Sequence, residues 1–215
     1  MRWLNYFSSA RIPYYIYKIN KNDCVVINFL LGVEHAIIIL YGAIFLCKIF
    51  NNQEAFPVSI FNTNDVLFIK SLQINSQCYY KLISLDTTYI LSFSLNDLRN
   101  NNKINHKLLF NIINSSKYTV RKYEIINHIL INKYIKYRII QLILFLCLEF
   151  GIIQNNKITI PFSVSQKNLA KITRSNTVAV NHIMNFLFKK QIIKYYSKKG
   201  ICINNILNLI STFLL

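Results

Sequence analysis

The chain has 215 residues, 53% of them apolar, which is enough to bury a core and excludes a disordered protein. Its formal charge of +17 is unevenly divided: residues 103–215 carry 17 Lys and Arg against Glu124 and Glu149, a net +15, whereas residues 1–102 carry 8 against 6, a net +2. A basic field of this kind attracts a polyanion through contacts that weaken as salt rises, and charge alone does not choose among DNA, RNA and anionic lipid.

The N-terminus, MRWLNYFSSARIP, has too short an apolar run for a secretory signal, and its two arginines make a weak transit peptide. From Tyr14 to about Phe93 short apolar runs alternate with Asn, Asp and Gly clusters every 8 to 12 residues or so, the rhythm of a β-sandwich or jelly roll. Strands are expected at Tyr14–Ile19, Cys24–Phe29, Ala43–Phe50, Ala55–Phe61, Val66–Leu72, Tyr79–Leu85 and Thr88–Phe93. The run Cys24–Phe50 is also long enough to cross a bilayer, but Glu34 and His35 interrupt it, and the two remaining pieces are short and rich in β-branched residues. It reads as buried strands, and a basic membrane-associated protein stands as an alternative.

The period then turns helical. Leu109, Ile112, Ile113, Val120, Tyr123, Ile126 and Leu130 trace one face of a helix from about Lys103 to Lys136, and a stripe of that length needs cover. It can pack on its own β-domain, on a second copy, or on both. The preferred reading is a dimer seam that includes Ile112 and Ile126. Arg138–Phe150 is a further helix with Ile139, Leu142, Phe145 and Leu146 inward and Gly151 as its C-cap; a turn at 155–157 leads into a strand, Ile158–Ile160.

Residues 165–190 read as two short helices. Ser165 caps the first, which turns Leu169, Ala170 and Ile172 inward. Ser175 or Asn176 caps the second, whose Val180, Ile183, Met184 and Leu187 fall at i, i+3, i+4 and i+7. This is a helix-turn-helix pattern, with Asn176, Thr177, Asn181 and His182 on the exposed first turns, where side chains can reach base edges. Lys167, Lys171, Arg174, Lys189 and Lys190 surround it as candidate phosphate contacts. Gln191–Asn204 alternates as a hairpin around Ser197-Lys198-Lys199-Gly200, with Gly200 suited to the turn and Lys198 and Lys199 at a wing tip that can follow a phosphate backbone.

The five cysteines are far apart and form no C-x-x-C, so they read as buried small hydrophobes in a reducing compartment. The four histidines are scattered, and four glycines make no phosphate-cradling loop, so the reading is of a non-enzyme without a metal site. Heavy use of Asn, Ile and Lys at the expense of Gly and Ala suits an AT-rich or organellar genome.

A β-roll, a long helix and a C-terminal winged helix-turn-helix in this order resemble the Crp/Fnr family of transcription regulators, an α+β architecture. RIIQLILFLCLEFGI at 138–152, SQKNLAKITRSNTVAVNHIMNFL at 165–187 and KKGICINN at 198–205 carry the likeness, most of all to the nitrogen-regulating branch found in cyanobacteria and some algal plastids. The N-terminal half is similar more faintly, through Lys21-Asn22-Asp23, Leu40-Tyr41-Gly42-Ala43 and Asn64-Asp65-Val66-Leu67. The resemblance implies a β-roll over 1–102, a dimerisation helix over 103–137 and a DNA-binding domain over 138–215. It also implies a homodimer on a two-fold symmetric duplex site, RNA polymerase as a further partner, no membrane, and residence in the plastid stroma if organelle-encoded or the cytoplasm otherwise.

The departures carry information. The family's glycine between the two helices is replaced by Arg174, so either Arg174 accepts φ > 0 at a cost of about 1 kcal/mol or the turn has changed. Family arginines that read guanine fall on Thr177 and His182, which cannot make the bidentate guanine contact. A non-specific nucleic-acid-binding or structural protein with a degenerate effector domain is therefore a second alternative. In the nitrogen branch a Phe-Gly-containing loop, a strand arginine and long-helix residues hold the carboxylate of 2-oxoglutarate. Here loop 66–72 has no glycine and the arginine falls on Cys78, so the pocket reads as eroded and no cofactor is evident. Arg121, Lys122 and Lys81 are available as substitute counter-ions, but they are expected at the solvent-exposed surface, and no ligand residues follow.

Overall fold

The structure, a computed structural model, describes residues 2–27, 34–69, 78–100, 106–154, 157–196 and 200–214. The chain packs into two units, Met1–Tyr123 and Glu124–Leu215, divided within the long helix.

The first unit is built on two four-stranded antiparallel sheets. One has the order β1 (Tyr15–Ile19), β8 (Thr88–Ser94), β3 (His35–Tyr41), β6 (Val66–Ile69); the other has β2 (Cys24–Ile27), β7 (Cys78–Ser84), β4 (Ile44–Phe50), β5 (Ala55–Phe61). Strand alternation explains why β3 is almost wholly apolar. Its Ile37 and Ile39 join Ile44, Leu46, Phe61, Leu82 and Ile90 in a core drawn from both sheets. Its Ala36 and Ile38 face the other way, into a layer with Trp3, Phe7, Phe93, Leu108 and Ile112. Within the run 24–50 the described residues form β2, β3 and β4, while residues 28–33 lie outside the described residues, and among the described residues no helix is long and apolar enough to cross a membrane.

Turn chemistry follows the polar clusters: Asn22, Gln53 and Asn64 take positive φ of 68°, 64° and 76° in the three Asn-rich turns. Gly42, at φ 98° between β3 and β4, lies so close to Thr88 and the Thr87 carbonyl that any Cβ would collide. Pro57 sits on β5, at a sheet edge, where its missing N–H costs least; the β4–β5 register shifts beside it.

Helix α1 (Arg2–Ala10), where the sequence signalled no element, buries Trp3, Phe7 and Ala10 at turn spacing. A short α2 (Leu95–Arg99), capped by Ser94, leaves the roll, and α3 runs from His106 to Ile131. The expected helix is shorter at its far end because Asn132 closes it. The Asn132 Nδ2 donates to the His128 carbonyl at 3.1 Å, the Ile129 carbonyl at 3.4 Å and Gln141 Oε1 at 2.6 Å. The next helix, α4 (Ile135–Phe150), therefore starts three residues before the expected Arg138.

Two expectations about α3 are corrected. Ile112 and Ile126 are buried within the chain itself, 4% and 0% exposed, so they are not at a free seam. The large hydrophobic residues that α3 leaves exposed are Leu109, Phe110, Ile113, Tyr118, Val120 and Ile131. Lys122, expected in solvent with Arg121 and Lys81, is buried. Its position continues the inward stripe of Leu108, Ile112 and Thr119, and its Nζ donates to Asp65 Oδ2 and Asn62 Oδ1, each at 2.6 Å. The Val66 N–H donates to Thr119 Oγ1 at 3.2 Å, so two adjacent turns of α3 are tied to the β5–β6 turn. Tyr123 packs edge-on against Phe61 at 5.3 Å, and burial, with the negative surroundings of Tyr80 and Asp65, holds its phenol well above its usual pKa.

The second unit adds a small sheet of order β11 (Ile193–Tyr196), β12 (Gly200–Ile203), β10 (Lys157–Thr159), β9 (Ile152–Gln154), with α5 (Gln166–Thr173), α6 (Thr177–Lys189) and α7 (Ile206–Leu214). Ile139, Leu142, Phe145 and Leu146 of α4 are buried as expected. Gly151 does cap α4, but in an extended conformation, φ −67° and ψ 134°, rather than left-handed. The cysteines are all free thiols; Cys47, Cys147 and Cys202 are buried as expected, whereas Cys78 is half-buried and Cys24 is exposed because β2 is an edge strand exposed on both faces.

Candidate nucleic-acid interface

Helix α5 begins at Ser165, whose Oγ accepts from the Asn168 N–H at 3.1 Å, and buries Leu169, Ala170, Ile172 and Thr173. It ends at Arg174, which takes φ 48° and ψ 53°; the Ser175 N–H then reaches back to the Ala170 carbonyl at 2.9 Å. The left-handed conformation usually given to glycine is accepted by an arginine, at a cost of about 1 kcal/mol. Arg138 compensates. Its Nε donates to the Asn132 carbonyl at 2.6 Å, and its Nη1 to the carbonyls of Thr173 at 3.2 Å and Arg174 at 3.4 Å. One guanidinium thus clasps the α3–α4 elbow to the turn, through charge-assisted bonds.

Of the two cap candidates, Asn176 caps α6, its Oδ1 accepting from the Ala179 N–H at 2.6 Å, while the Ser175 hydroxyl pairs with that of Thr173 at 2.8 Å. Val180, Met184 and Leu187 are buried and Ile183 is half-buried, which leaves Thr177, Asn181 and His182 exposed on one side. Asn176 is exposed too, but its oxygen is spent on the cap. Asn181 has neighbours the sequence did not reveal: its Oδ1 accepts from Gln166 Nε2 and from Asn185 Nδ2, both at 3.1 Å. The amide nitrogen remains the group presented outward. Gln166 also hydrogen-bonds Tyr195, whose phenol is raised in pKa by partial burial and drawn back by that bond, so one side chain links α5, α6 and β11. Val178, 77% exposed on the same outward side, was missed; its only signal was that it falls off the i, i+3, i+4, i+7 pattern. Such an apolar side chain suits a thymine methyl.

Lys167, Arg174, Lys189, Lys190 and Lys194 are exposed around this helix, and Lys171 is half-buried. The expected wing-tip cations Lys198 and Lys199 lie outside the described residues. The wing itself is a hairpin with Tyr196 opposite Gly200 and Ile193 opposite Ile203. Gly200 is needed for a different reason from the expected turn: it lies in β12, where a Cβ would run into the Ile160 carbonyl oxygen. The α6–β11 corner is fixed by Gln191 at φ 57°, by the Ile192 N–H donating to the Leu187 carbonyl at 3.0 Å, and by Asn204 Nδ2 donating to the Gln191 carbonyl at 2.9 Å. Phe188 and Tyr195 stack at 5.9 Å across it.

A β-roll followed by a long helix and a helix-turn-helix with a wing is the arrangement expected from the resemblance to Crp/Fnr regulators. The chain is 28% identical over 208 residues to the HTH-type transcriptional regulator ycf28 of Porphyra purpurea, spanning 93% of this chain and 82% of that protein. To the global nitrogen regulator of a Nostoc species it is 23% identical over 168 residues, 77% of this chain and 75% of that one. In structure it is similar to TTHB099, a CRP-family transcriptional regulator of Thermus thermophilus, with a TM-score of 0.69 at 13% identity over 91% of this chain and 95% of that chain. No protein-family model matches the chain. In sequence and in fold the chain is thus similar to transcription regulators of the Crp/Fnr type.

Proposed function

We propose that the chain binds double-stranded DNA as a homodimer, laying α6 in the major groove and the wing along the backbone. The observation that carries this is the exposed, polar first half of α6, set by two side-chain caps and ringed by exposed Lys167, Arg174, Lys189, Lys190 and Lys194. The dimer rests on α3, where Leu109, Ile113 and Val120 recur at helical spacing with Phe110 beside them, an apolar face left open over three turns. Two such helices on a dyad read successive major grooves about 34–36 Å apart.

The likeness to a global nitrogen regulator supports a nitrogen-related promoter set, and RNA polymerase is the natural partner of such a site. Residue usage of AT-rich type and the likeness to a Porphyra purpurea regulator support the plastid stroma as its place. A 2-oxoglutarate-type effector has no counter-ion here from Lys122, whose ammonium is already paired.

Fluorescence anisotropy with duplex DNA and with duplex and single-stranded RNA at rising salt tests this. With about four phosphate contacts per protomer, the slope of log K against log salt is about −7. DNA is expected to win over RNA at every salt concentration; RNA binding equal to or above DNA would refute the proposal. A second reading has an observation of its own. Because the Asn181 oxygen is engaged by Gln166 and Asn185, the helix reads bases weakly, and the protein coats duplexes without strong preference.

A further inference from the structure

The first unit holds a cleft of about 850 Å3 that duplex binding does not use. It lies between α1, the β3–β8 end of one sheet and α3, well within the size range of small-molecule sites. Its wall is aromatic. Tyr41 and Tyr89 are directly opposed across the β3–β8 ladder, Trp3 comes from α1, and Tyr118 from α3. The Trp3 indole is fixed by its Nε1 donating to Asn64 Oδ1 at 2.9 Å. On α3, Asn111, Asn114, Ser115 and Tyr118 recur at i, i+3, i+4 and i+7, a polar stripe beside the buried one. Arg2 is the one charged residue of the described lining, and no carboxylate shares it.

We infer that this cleft binds a small planar aromatic anion, a ring system carrying a carboxylate or sulfonate. The rings offer stacking faces, Asn111, Asn114 and Thr63 offer amide and hydroxyl partners, and Arg2 supplies the single counter-charge. The inference is independent of duplex binding. A ligand here lies against α3 beside the face proposed to meet a second copy, which makes the cleft a place from which dimer geometry can be biased.

Trp3 is the only tryptophan in the chain, so the cleft carries its own reporter. The probe is 8-anilinonaphthalene-1-sulfonate, titrated into the full chain while indole alone is excited. Saturable energy transfer from Trp3 at one probe per chain is expected, reversed by excess naphthoate. Arg2→Gln should weaken the sulfonate about three- to fivefold, as loss of one partly exposed charge pair does, and leave the neutral N-phenyl-1-naphthylamine unchanged. Ser115→Phe, which fills the cleft, should abolish transfer from both probes, with circular dichroism showing an unchanged fold. Absent or unsaturable transfer, transfer indifferent to both substitutions, or equal loss of the neutral probe in Arg2→Gln would each overturn the inference. So would transfer that fades as protein concentration rises, which would mean that a second copy fills the cleft.

Discussion

Lys122→Met separates a structural lysine from a surface one. The pair it breaks is almost fully enclosed, with side-chain exposures of 5% for Lys122 and 4% for Asp65 and an Nζ–Oδ2 distance of 2.6 Å. Met keeps most of the stem's packing, so the loss is electrostatic. Asp65 Oδ2 keeps the Asn62 N–H at 2.7 Å but loses its cation, and Asn62 Oδ1 loses a donor. Removing one member of a buried pair costs about 3–5 kcal/mol, and the surviving backbone hydrogen bond places this case near the lower end. Replacing both, as Lys122→Met with Asp65→Leu, should cost less than the sum of the single changes by about 2 kcal/mol, because neither charge is then stranded. Urea unfolding of the full chain, followed by Trp3 emission, isolates the first unit, since the one tryptophan lies there. A cost under about 1 kcal/mol for Lys122→Met, or strict additivity in the double variant, would refute the assigned pairing.

Arg174→Gly should raise the thermal midpoint of the second unit, since about 1 kcal/mol of left-handed strain is relieved, and should lower affinity for every duplex alike. A lower midpoint would mean that the Arg174 side chain contributes more than its backbone costs. Asn181→Ala and Val178→Ala should reduce discrimination between sites by about 1–3 kcal/mol and leave the salt slope alone, while Lys189→Ala should cut the slope by about one unit on any sequence. Competition titrations in which these variants behave identically would show that α6 reads no bases. Burial pushes the Cys147 thiol from 9.0 to about 12, so it stays protonated at neutral pH, and a thiol reagent should mark exposed Cys24 at least tenfold faster. The same shift has a stability sign. The raised folded value gives a contribution that is complete below pH 9.0 and is lost as pH rises towards about 12, so Cys147→Ala should flatten the alkaline fall in Tm.

Much of this fold is written in local patterns. Strand positions followed from apolar runs and Asn-rich turns, because positive φ at Asn22, Gln53 and Asn64 needs little beyond the local sequence. The caps at Ser165 and Asn176 were legible for the same reason: a cap is a contact of three residues. What escaped depends on partners distant in sequence. Helix α1 has too few residues to show a period, and its Trp3 and Phe7 are inward only because β3 and β8 offer a surface. Lys122 looks like any helix lysine until Asp65, 57 residues away, is brought under it. The stripe on α3 was read as one face when it is two, Ile112 and Ile126 turned inward and Leu109, Ile113 and Val120 outward, since spacings of three and four fit neighbouring faces equally well. On α6, Thr177, Asn181 and His182 are exposed, as the spacing of the apolar residues predicts, but the amide ladder from Gln166 through Asn181 to Asn185 crosses between helices and leaves no trace in spacing.

Whether two copies of α6 read one symmetric duplex is decided by selecting bound duplexes from a random pool with the purified full chain. The expected result is a two-fold symmetric consensus with half-sites one helical turn apart, about 34–36 Å, each containing an adenine that guanine cannot replace. An enriched pool with no symmetry, or no enrichment over the starting pool at any salt concentration, would contradict it.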